Sequence, residues 1–227
     1  MRIIFSLLIV GLSFSSFAQS TYWIGVNGTA QFNQFEYIKG TLVQGPVEGA
    51  PKANWTAFGL SVRRQTEGKW SYLLGVNYAS ELFRVSYVFN PPITGNDPFV
   101  PSGTDVTYSY IDIPLEVSYQ FTKAASFEVL GFGGLNYSAL VNTKEETKML
   151  NDSQVESEYF SEYKPANLLQ VKLGVQARYN FSENIRISLN PYAGFGLIQN
   201  TEEYGKKQPF SYGATLLLEY GVNKKSE

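Results

Sequence analysis

Hydrophobic and polar residues alternate along most of this chain with a period of two. The clearest example is Tyr110–Phe121, "YIDIPLEVSYQF", where odd positions are apolar and even positions include Asp112 and Glu116. Leu169–Phe181 repeats the pattern over thirteen positions. A period of two is typical of a β-strand with one apolar and one polar face. The pattern therefore predicts an all-β protein.

Eight alternating segments bounded by turn residues are predicted as strands. They are Tyr22–Phe35, Trp55–Gln65, Trp70–Phe89, Val106–Phe121, Phe127–Val141, Leu169–Phe181, Ile185–Leu197 and Phe210–Val222. Short turns alternate with longer connections: the turns are Thr66–Lys69, Thr122–Ser126 and Ser182–Asn184, and the loops are Glu36–Asn54, Asn90–Asp105, Asn142–Ala166 and Thr201–Lys207. Short turns at one end and long loops at the other are typical of up-and-down outer-membrane barrels.

The third segment changes phase along its length. Its apolar residues occupy even positions up to Tyr78 and odd positions from Phe83 onward. We expect either a β-bulge near Ala79–Glu81 or a strand that leaves its apolar surroundings at this point.

The polar face of the strands carries four acidic and four basic residues, which are Arg63, Asp112, Glu116, Glu128, Lys172, Arg178, Arg186 and Glu219. A soluble, lipocalin-like barrel would turn this face to water and line a ligand cavity with the apolar face. The apolar face, however, carries many Tyr and Phe side chains, and an eight-stranded interior has little room for them. Turned outward, these aromatics would form the interfacial girdles of a membrane barrel. The prediction is therefore an eight-stranded antiparallel up-and-down transmembrane β-barrel with a charge network in its lumen.

The first residues have the features of a secretory signal peptide. Arg2 precedes an apolar run, Ile3–Phe14, and Ser16–Ala18 matches a small-x-small cleavage site. The apolar run is too short for a transmembrane helix, which needs about 20 residues to span a bilayer. We expect residues 1–18 to be the signal peptide and residues 19–227 to be the barrel.

Composition excludes several functions. The chain has no Cys and no His, which removes disulfides, thiol nucleophiles, imidazole metal ligands and Ser-His or Cys-His catalysis. A formal net charge of −2 argues against nucleic-acid binding through phosphate neutralisation. No cofactor or metal is predicted.

The signal ending in "SFAQ", the glycine-rich strands and the "YIDIPLEVSYQF" strand together resemble the outer-membrane β-barrel family widespread in Bacteroidetes. More broadly, the chain is similar to small barrels such as OmpX and the OmpA membrane domain. The resemblance implies a bacterial outer-membrane location and contact with outer-membrane lipid. Contact with other outer-membrane proteins is a separate expectation, which follows from the accessory-subunit hypothesis given below.

The candidate chemistry favours a non-enzymatic role. Asp112 and Glu116 lie roughly 13 Å apart along one strand face, too far for a catalytic dyad. We expect Glu116, Glu128 and Glu219 to pair with Arg178, Lys172 and Arg186 in a hydrogen-bonded plug, because an unpaired buried charge is costly.

The loops are the remaining functional surface. They present candidate interaction residues at Phe99, Val100, Tyr159 and Phe160. Three hypotheses stay open: a structural or interaction protein acting through its loops or as an accessory subunit, a narrow channel for small solutes, and a His-independent outer-membrane enzyme.

Overall fold

The computed structural model describes residues 21–37, 52–86, 101–149, 154–156, 167–198 and 205–222. The predicted signal peptide, residues 1–18, lies outside these ranges, and so do the candidate loop residues Phe99, Val100, Tyr159 and Phe160. Within the described ranges no helix is long and apolar enough to cross a membrane.

The described residues form nine strands: β1 Thr21–Tyr37, β2 Lys52–Gln65, β3 Trp70–Ser86, β4 Pro101–Ala124, β5 Phe127–Met149, β6 Gln154–Glu156, β7 Leu168–Asn180, β8 Ile185–Ile198 and β9 Gly205–Val222. Each of the eight long strands pairs antiparallel with its neighbours in the chain, and β1 pairs with β9. The sheet therefore closes on itself. The short β6 pairs with the end of β5. The predicted eight-stranded up-and-down barrel is confirmed, with β6 as an addition outside the wall.

Three tight connections lie at one end of the barrel, which we call the turn end. They link β2 to β3, β4 to β5 and β7 to β8, and the barrel ends Thr21 and Val222 lie beside them. The second connection is shorter than predicted, because β4 continues to Ala124. Ala125 has a φ of 47°, the left-handed conformation that such a tight turn requires.

The outer surface of the wall is apolar. Phe58, Leu60, Leu173 and Phe210 are each more than 60% exposed. Exposed aromatics collect at two heights, with Tyr22, Trp70, Phe181 and Tyr220 near the turn end and Phe32, Phe58, Tyr78 and Tyr212 toward the other end. Tyr22 and Phe32 lie roughly 33 Å apart along β1, which a strand tilt of roughly 40° reduces to roughly 25 Å. That height matches the apolar band of a membrane barrel.

The outward face of β4 and β5 changes from apolar to polar between Ser109 and Tyr110 on β4. On the turn-end side of this change, the exposed residues are Leu115 and Val117 on β4 and Val141 on β5. At this level the pairing shifts, because Ser109 pairs with Asn142 and Tyr110 with Leu140, so that Val141 is bulged out. Above it the outward positions of β5 are Asn142 and charged residues. The shift therefore marks the outer boundary of the apolar band.

The predicted bulge at Ala79–Glu81 is wrong. β3 pairs with β2 through Phe83 and with β4 through Ser86, and neither pairing shifts in this stretch. Ser80 pairs with Ser109, so β3 crosses the outer boundary of the apolar band here. The change of phase in the sequence therefore marks a strand that leaves its apolar surroundings, which was the second of the two explanations.

All four predicted loops overlap observed strands. The overlap is only two to three residues at each end of Glu36–Asn54 and at the final end of Thr201–Lys207, since β1 continues to Tyr37, β2 begins at Lys52 and β9 begins at Gly205. It is larger for Asn90–Asp105 and Asn142–Ala166, because β4 begins at Pro101 and β5 continues to Met149. Their residues pair as far as Pro101 with Met149. The sequence does not indicate these strand extensions, because residues 142–148 are all polar and show no alternation of apolar and polar positions. Outside the membrane neither face of the hairpin needs to be apolar.

A charge placed in the middle of the apolar band should destabilise the barrel strongly. Leu216→Arg puts a cation at mid-height on the lipid-facing side of β9 and should cost about 2–4 kcal/mol of unfolding free energy, whereas Val222→Arg at the turn end should cost about 0–1 kcal/mol. Both side chains are about half exposed. Equilibrium urea unfolding in phospholipid vesicles measures the difference. Equal costs at the two positions would contradict the assigned position of the apolar band.

Candidate functional site

The lumen is closed near the turn end by a carboxylate shared between two arginines. Arg63 Nε donates a hydrogen bond of 2.9 Å to one oxygen of Glu219, and Arg186 Nε donates one of 2.8 Å to the other oxygen. The side chains of all three residues are at most 2% exposed. Charge-assisted hydrogen bonds of this length are strong, and the pairing offsets the cost of burying the charges.

Neighbouring side chains hold this group in place. Arg63 Nη1 donates to the hydroxyl of Ser118 at 3.2 Å, and Arg186 Nη1 donates to Gln65 Oε1 at 2.8 Å. The Arg186 guanidinium lies 3.6 Å from the centre of the Trp23 ring, a cation–π contact. The polar contacts come from different strands, so they tie the wall together across the lumen.

A second ion pair lies beside the first. Arg178 Nη1 donates to Glu128 Oε2 at 3.0 Å, and Asn180 Nδ2 donates to Glu128 Oε1 at 3.2 Å. Lys123, which is exposed at the rim, lies 3.7 Å from the same carboxylate. We call the set Trp23, Arg63, Glu128, Arg178, Arg186 and Glu219 the floor of the lumen.

The middle of the lumen contains the other three predicted charges. The Lys172 ammonium interacts electrostatically with Asp112 and Glu116. It also lies 4.7 Å from the centre of the Tyr192 ring. Asp112 and Lys172 are buried, whereas Glu116 is partly accessible. The eight charged residues predicted for the lumen therefore divide into the floor, with five, and this middle group of three.

A chain of hydrogen bonds crosses the lumen above the middle group. The Tyr192 hydroxyl donates to Gln31 Oε1 at 2.8 Å, Gln31 Nε2 donates to Asn33 Oδ1 at 2.8 Å, and Asn33 Nδ2 donates to Glu81 Oε1 at 2.6 Å. Gly213 leaves room for this chain, since a Cβ there would come within 2.8 Å of the Tyr192 hydroxyl oxygen. The wall thus places a small residue where a large polar side chain crosses.

Aromatic side chains fill the outer end of the lumen. Trp55 and Tyr110 stack with ring centres 4.9 Å apart, and Tyr108 lies 6.5 Å from Tyr110. They belong to a buried apolar cluster with Ala57, Ala79, Val106 and Leu168. The adjoining cavity, lined by Gln31, Asn136 and Ser211 among others, has a volume of about 30 Å³, room for only a few water molecules.

The sequence did not predict this aromatic cluster. A signal was present, because Tyr108 and Tyr110 share parity with Asp112, and Trp55 shares parity with Arg63. Large rings on the polar face are the signal for this cluster, because the girdle aromatics of a membrane barrel lie on the apolar face. Trp23, Gln31, Asn33 and Glu81 were likewise not among the candidates.

The carboxylates of the floor serve as partners of buried cations. The acidic groups of the floor are held in ion pairs, and the described residues contain no group of three or more His, Cys, Asp or Glu side chains placed to bind a metal. The geometry supports the cross-linking of the strands and the closing of the lumen.

Removal of the shared carboxylate should be costly. Glu219→Gln leaves Arg63 and Arg186 buried without a countercharge and should lower the free energy of unfolding by about 3–5 kcal/mol. Glu146→Gln, which removes the partner of Lys144 at an exposed site, should change it by less than about 1 kcal/mol. Urea unfolding of both variants checks this, and similar small losses would mean that the floor carries no special stability.

Comparison with known proteins identifies the family to which this fold belongs. A family model described as "Outer membrane protein beta-barrel domain" matches residues 11–202. No curated protein matches the chain significantly. Among solved structures, the chain is similar to the outer membrane protein OprG from Pseudomonas aeruginosa, with 14% identity, a TM-score of 0.51, and coverage of 91% of this chain and 98% of that one.

Two further solved structures are more distant. Ail of Yersinia pestis has 10% identity and a TM-score of 0.41, with 89% of this chain and 99% of that one covered. The E. coli outer membrane protein W has 14% identity and a TM-score of 0.35, with 85% and 96% covered. At these identities OprG shows a common fold alone, and the two weaker similarities carry no argument. Because the family match spans most of the chain, this protein belongs to the outer-membrane β-barrel family and lies in the bacterial outer membrane.

Proposed function

We propose that this protein has a non-enzymatic, structural or interaction role, exercised at the outer end of the barrel as a surface-displayed platform or as an accessory subunit of a larger outer-membrane complex. The observation that carries the proposal is the length of the β4–β5 hairpin. These strands have 24 and 23 residues, whereas β7 has 13. The excess corresponds to roughly 30 Å of strand.

We call Pro101–Ser109 and Asn142–Met149, together with β6, the outer platform. Cross-strand contacts hold it in one shape: Lys148 Nζ lies 2.8 Å from Asp105 Oδ2, and the hydroxyls of Thr104 and Thr147 are 3.2 Å apart. Ser102 donates a hydrogen bond to the Lys148 carbonyl at 3.1 Å. A paired, polar extension with a defined register is better suited to bind a macromolecule than a loose loop, because less conformational entropy is lost on binding.

The predicted interaction residues adjoin this platform in sequence. Phe99 and Val100 immediately precede Pro101, and Tyr159 and Phe160 follow Glu156 by a few positions. Aromatic residues beside a polar surface are the usual centre of a protein–protein contact. These four residues lie outside the described residues, and we propose them as further contacts with a partner on the ground of their sequence positions alone.

The lumen supports a non-enzymatic role. The chain has no His or Cys, and two of the lumen carboxylates, Glu128 and Glu219, are each hydrogen-bonded to buried arginines. Such groups are available neither as a free general base nor as a nucleophile.

The polar lumen is the observation that favours a narrow channel as the second candidate. A hydrated pathway would have to pass both the floor and the aromatic cluster of Trp55 and Tyr110. Both obstacles consist of buried, mutually contacting side chains, so a channel would require their rearrangement. This makes steady conduction the weaker proposal.

Native purification tests the interaction proposal. We expect a tagged protein, extracted from outer membranes in mild detergent, to carry a partner at near-stoichiometric yield. Lys144→Glu on the outer platform should lower this yield severalfold, because a reversed charge on an exposed contact surface weakens association. Lys123→Glu at the turn-end rim is the matched control, since Lys123 is similarly exposed and also lies beside a glutamate. Recovery of only a heat-modifiable monomer would contradict the subunit form of the proposal.

Planar-bilayer recording separates the two candidates. We expect no conductance above background for the native protein, because the floor and the aromatic cluster close the lumen. The triple variant Arg63→Ser, Arg186→Ser, Glu219→Ser, which removes one ion-pair group with its countercharge, should raise the frequency of opening events. Steady conductance of the native barrel would favour the channel instead.

A further inference from the structure

Five N–H groups at the floor of the lumen have no hydrogen-bond partner among the described residues. They are Trp23 Nε1, Arg63 Nη2, Arg178 Nε, Arg178 Nη2 and Arg186 Nη2. Their side chains are buried, with Arg63 and Arg178 completely inaccessible. A buried donor without a partner costs about 1–3 kcal/mol, and more when it is charged. Four of these five donors belong to the three arginines of the floor, and the fifth to the Trp23 ring that contacts Arg186. Such a group of buried donors indicates a missing acceptor.

These groups can only donate. Guanidinium and indole nitrogens have no acceptor capacity, so no side-chain flip or change of tautomer satisfies one of them with another. The floor carboxylates, Glu128 and Glu219, each accept a hydrogen bond on both oxygens. Unpartnered acceptors such as Ser61 Oγ and Asn190 Oδ1 belong to lumen residues outside the floor, whereas the unpartnered atoms of the floor residues are all donors.

The charge balance of the floor points the same way. Three guanidinium groups, Arg63, Arg178 and Arg186, face two carboxylates, which leaves an excess of one positive charge. Arg178 interacts electrostatically with both Arg63 and Arg186, so the three cations lie within mutual range. Repulsion between buried like charges is large where the effective dielectric is low. Two charges outside the floor also act on it, because Glu116 interacts electrostatically with Arg63 and Lys123 lies 3.7 Å from Glu128. These two charges have opposite signs, so together they leave the excess of one positive charge unchanged.

We propose that the floor of the lumen binds a small monovalent inorganic anion of the halide type, held by N–H groups of Arg63, Arg178, Arg186 and Trp23. One negative charge balances the floor, and a spherical acceptor can take hydrogen bonds from several directions. The anion completes the ion-pair group that ties β2, β7, β8 and β9 together and so stabilises the closed lumen. The proposal is independent of the interaction role, because it concerns the opposite end of the barrel.

Stability in different salts gives the first test. We expect the urea midpoint of unfolding to rise with chloride concentration at constant ionic strength, with sodium gluconate as the replacing salt, and to saturate as binding to the folded state requires. Constant ionic strength keeps general screening the same throughout.

A matched pair of variants locates the effect. The double variant Arg178→Gln, Glu128→Gln removes two of the five donors and leaves the net charge of the floor unchanged. About tenfold more chloride should therefore be needed to raise its urea midpoint of unfolding by the same amount. Arg64→Gln removes the neighbouring arginine on the other face of β2 and should leave the chloride response as in the native protein.

Crystals of the native protein grown in sodium bromide give a direct test that does not depend on any variant folding. An anomalous peak in hydrogen-bond contact with nitrogens of at least two of the three arginines is expected. Any of three results would overturn the proposal: a urea midpoint that does not depend on chloride, an unchanged chloride response in the double variant, or bromide peaks only elsewhere on the molecule. Water would then be the partner of the buried donors.

Discussion

In the hydrocarbon of a membrane no water is available to the peptide groups, so every backbone N–H and C=O in the span must find its partner within the protein. For a sheet this demand is met only by closure, and here closure is made by the pairing of β1 with β9. The first and last strands meet with a long, nearly continuous register from Tyr22–Val222 to Asn33–Ser211. The rest of the structure follows from this constraint. A closed wall of alternating strands has one face for lipid and one for the lumen, so the polar half of every strand is brought together inside.

Closure of the wall also buries charged side chains in the lumen, which is costly unless they are paired. An eight-stranded barrel has an interior just wide enough to be filled by side chains, and the charged residues that lie there lose most of their contact with water. Glu219 shares its two oxygens between Arg63 and Arg186, and Glu128 is held by Arg178 and Asn180. The Arg63–Glu219 contact links β2 to β9, which are not neighbours in the wall, whereas the contacts of Glu219 with Arg186 and of Glu128 with Arg178 reinforce neighbouring strand pairs. Toward the outer end the lumen is filled by buried aromatic rings instead of ion pairs, as in the stacked pair Trp55 and Tyr110. The lumen is thus a core built mainly from polar groups.

The sequence predicted the parts of this structure that depend on local alternation. Asp112, Lys172 and Arg178 could be assigned to the lumen because their neighbours in sequence are apolar, and lipid enforces that pattern strictly. The pattern weakens where lipid ends, so the pairing of Asn142–Met149 with β4 has no period-two signal in the sequence. The contact of Arg63 with Glu219 was not predicted either, since the two residues are separated by 156 positions. Which side chains meet across the lumen depends on the stagger of the strands and on shifts such as the one at Val141, and neither is visible in a period-two pattern.

In this structure the apolar face meets lipid and the charged face is enclosed, and spin labelling along one strand distinguishes the two faces. The chain has no cysteine, so each introduced thiol is unique. Single cysteines at positions 214 to 219 of β9, spin-labelled in lipid vesicles, would report collision rates with oxygen, which concentrates in the hydrocarbon. We expect high rates at positions 214, 216 and 218 and low rates at positions 215, 217 and 219. The reverse alternation, or uniform exposure to a water-soluble relaxation agent, would mean that the charged face is on the outside.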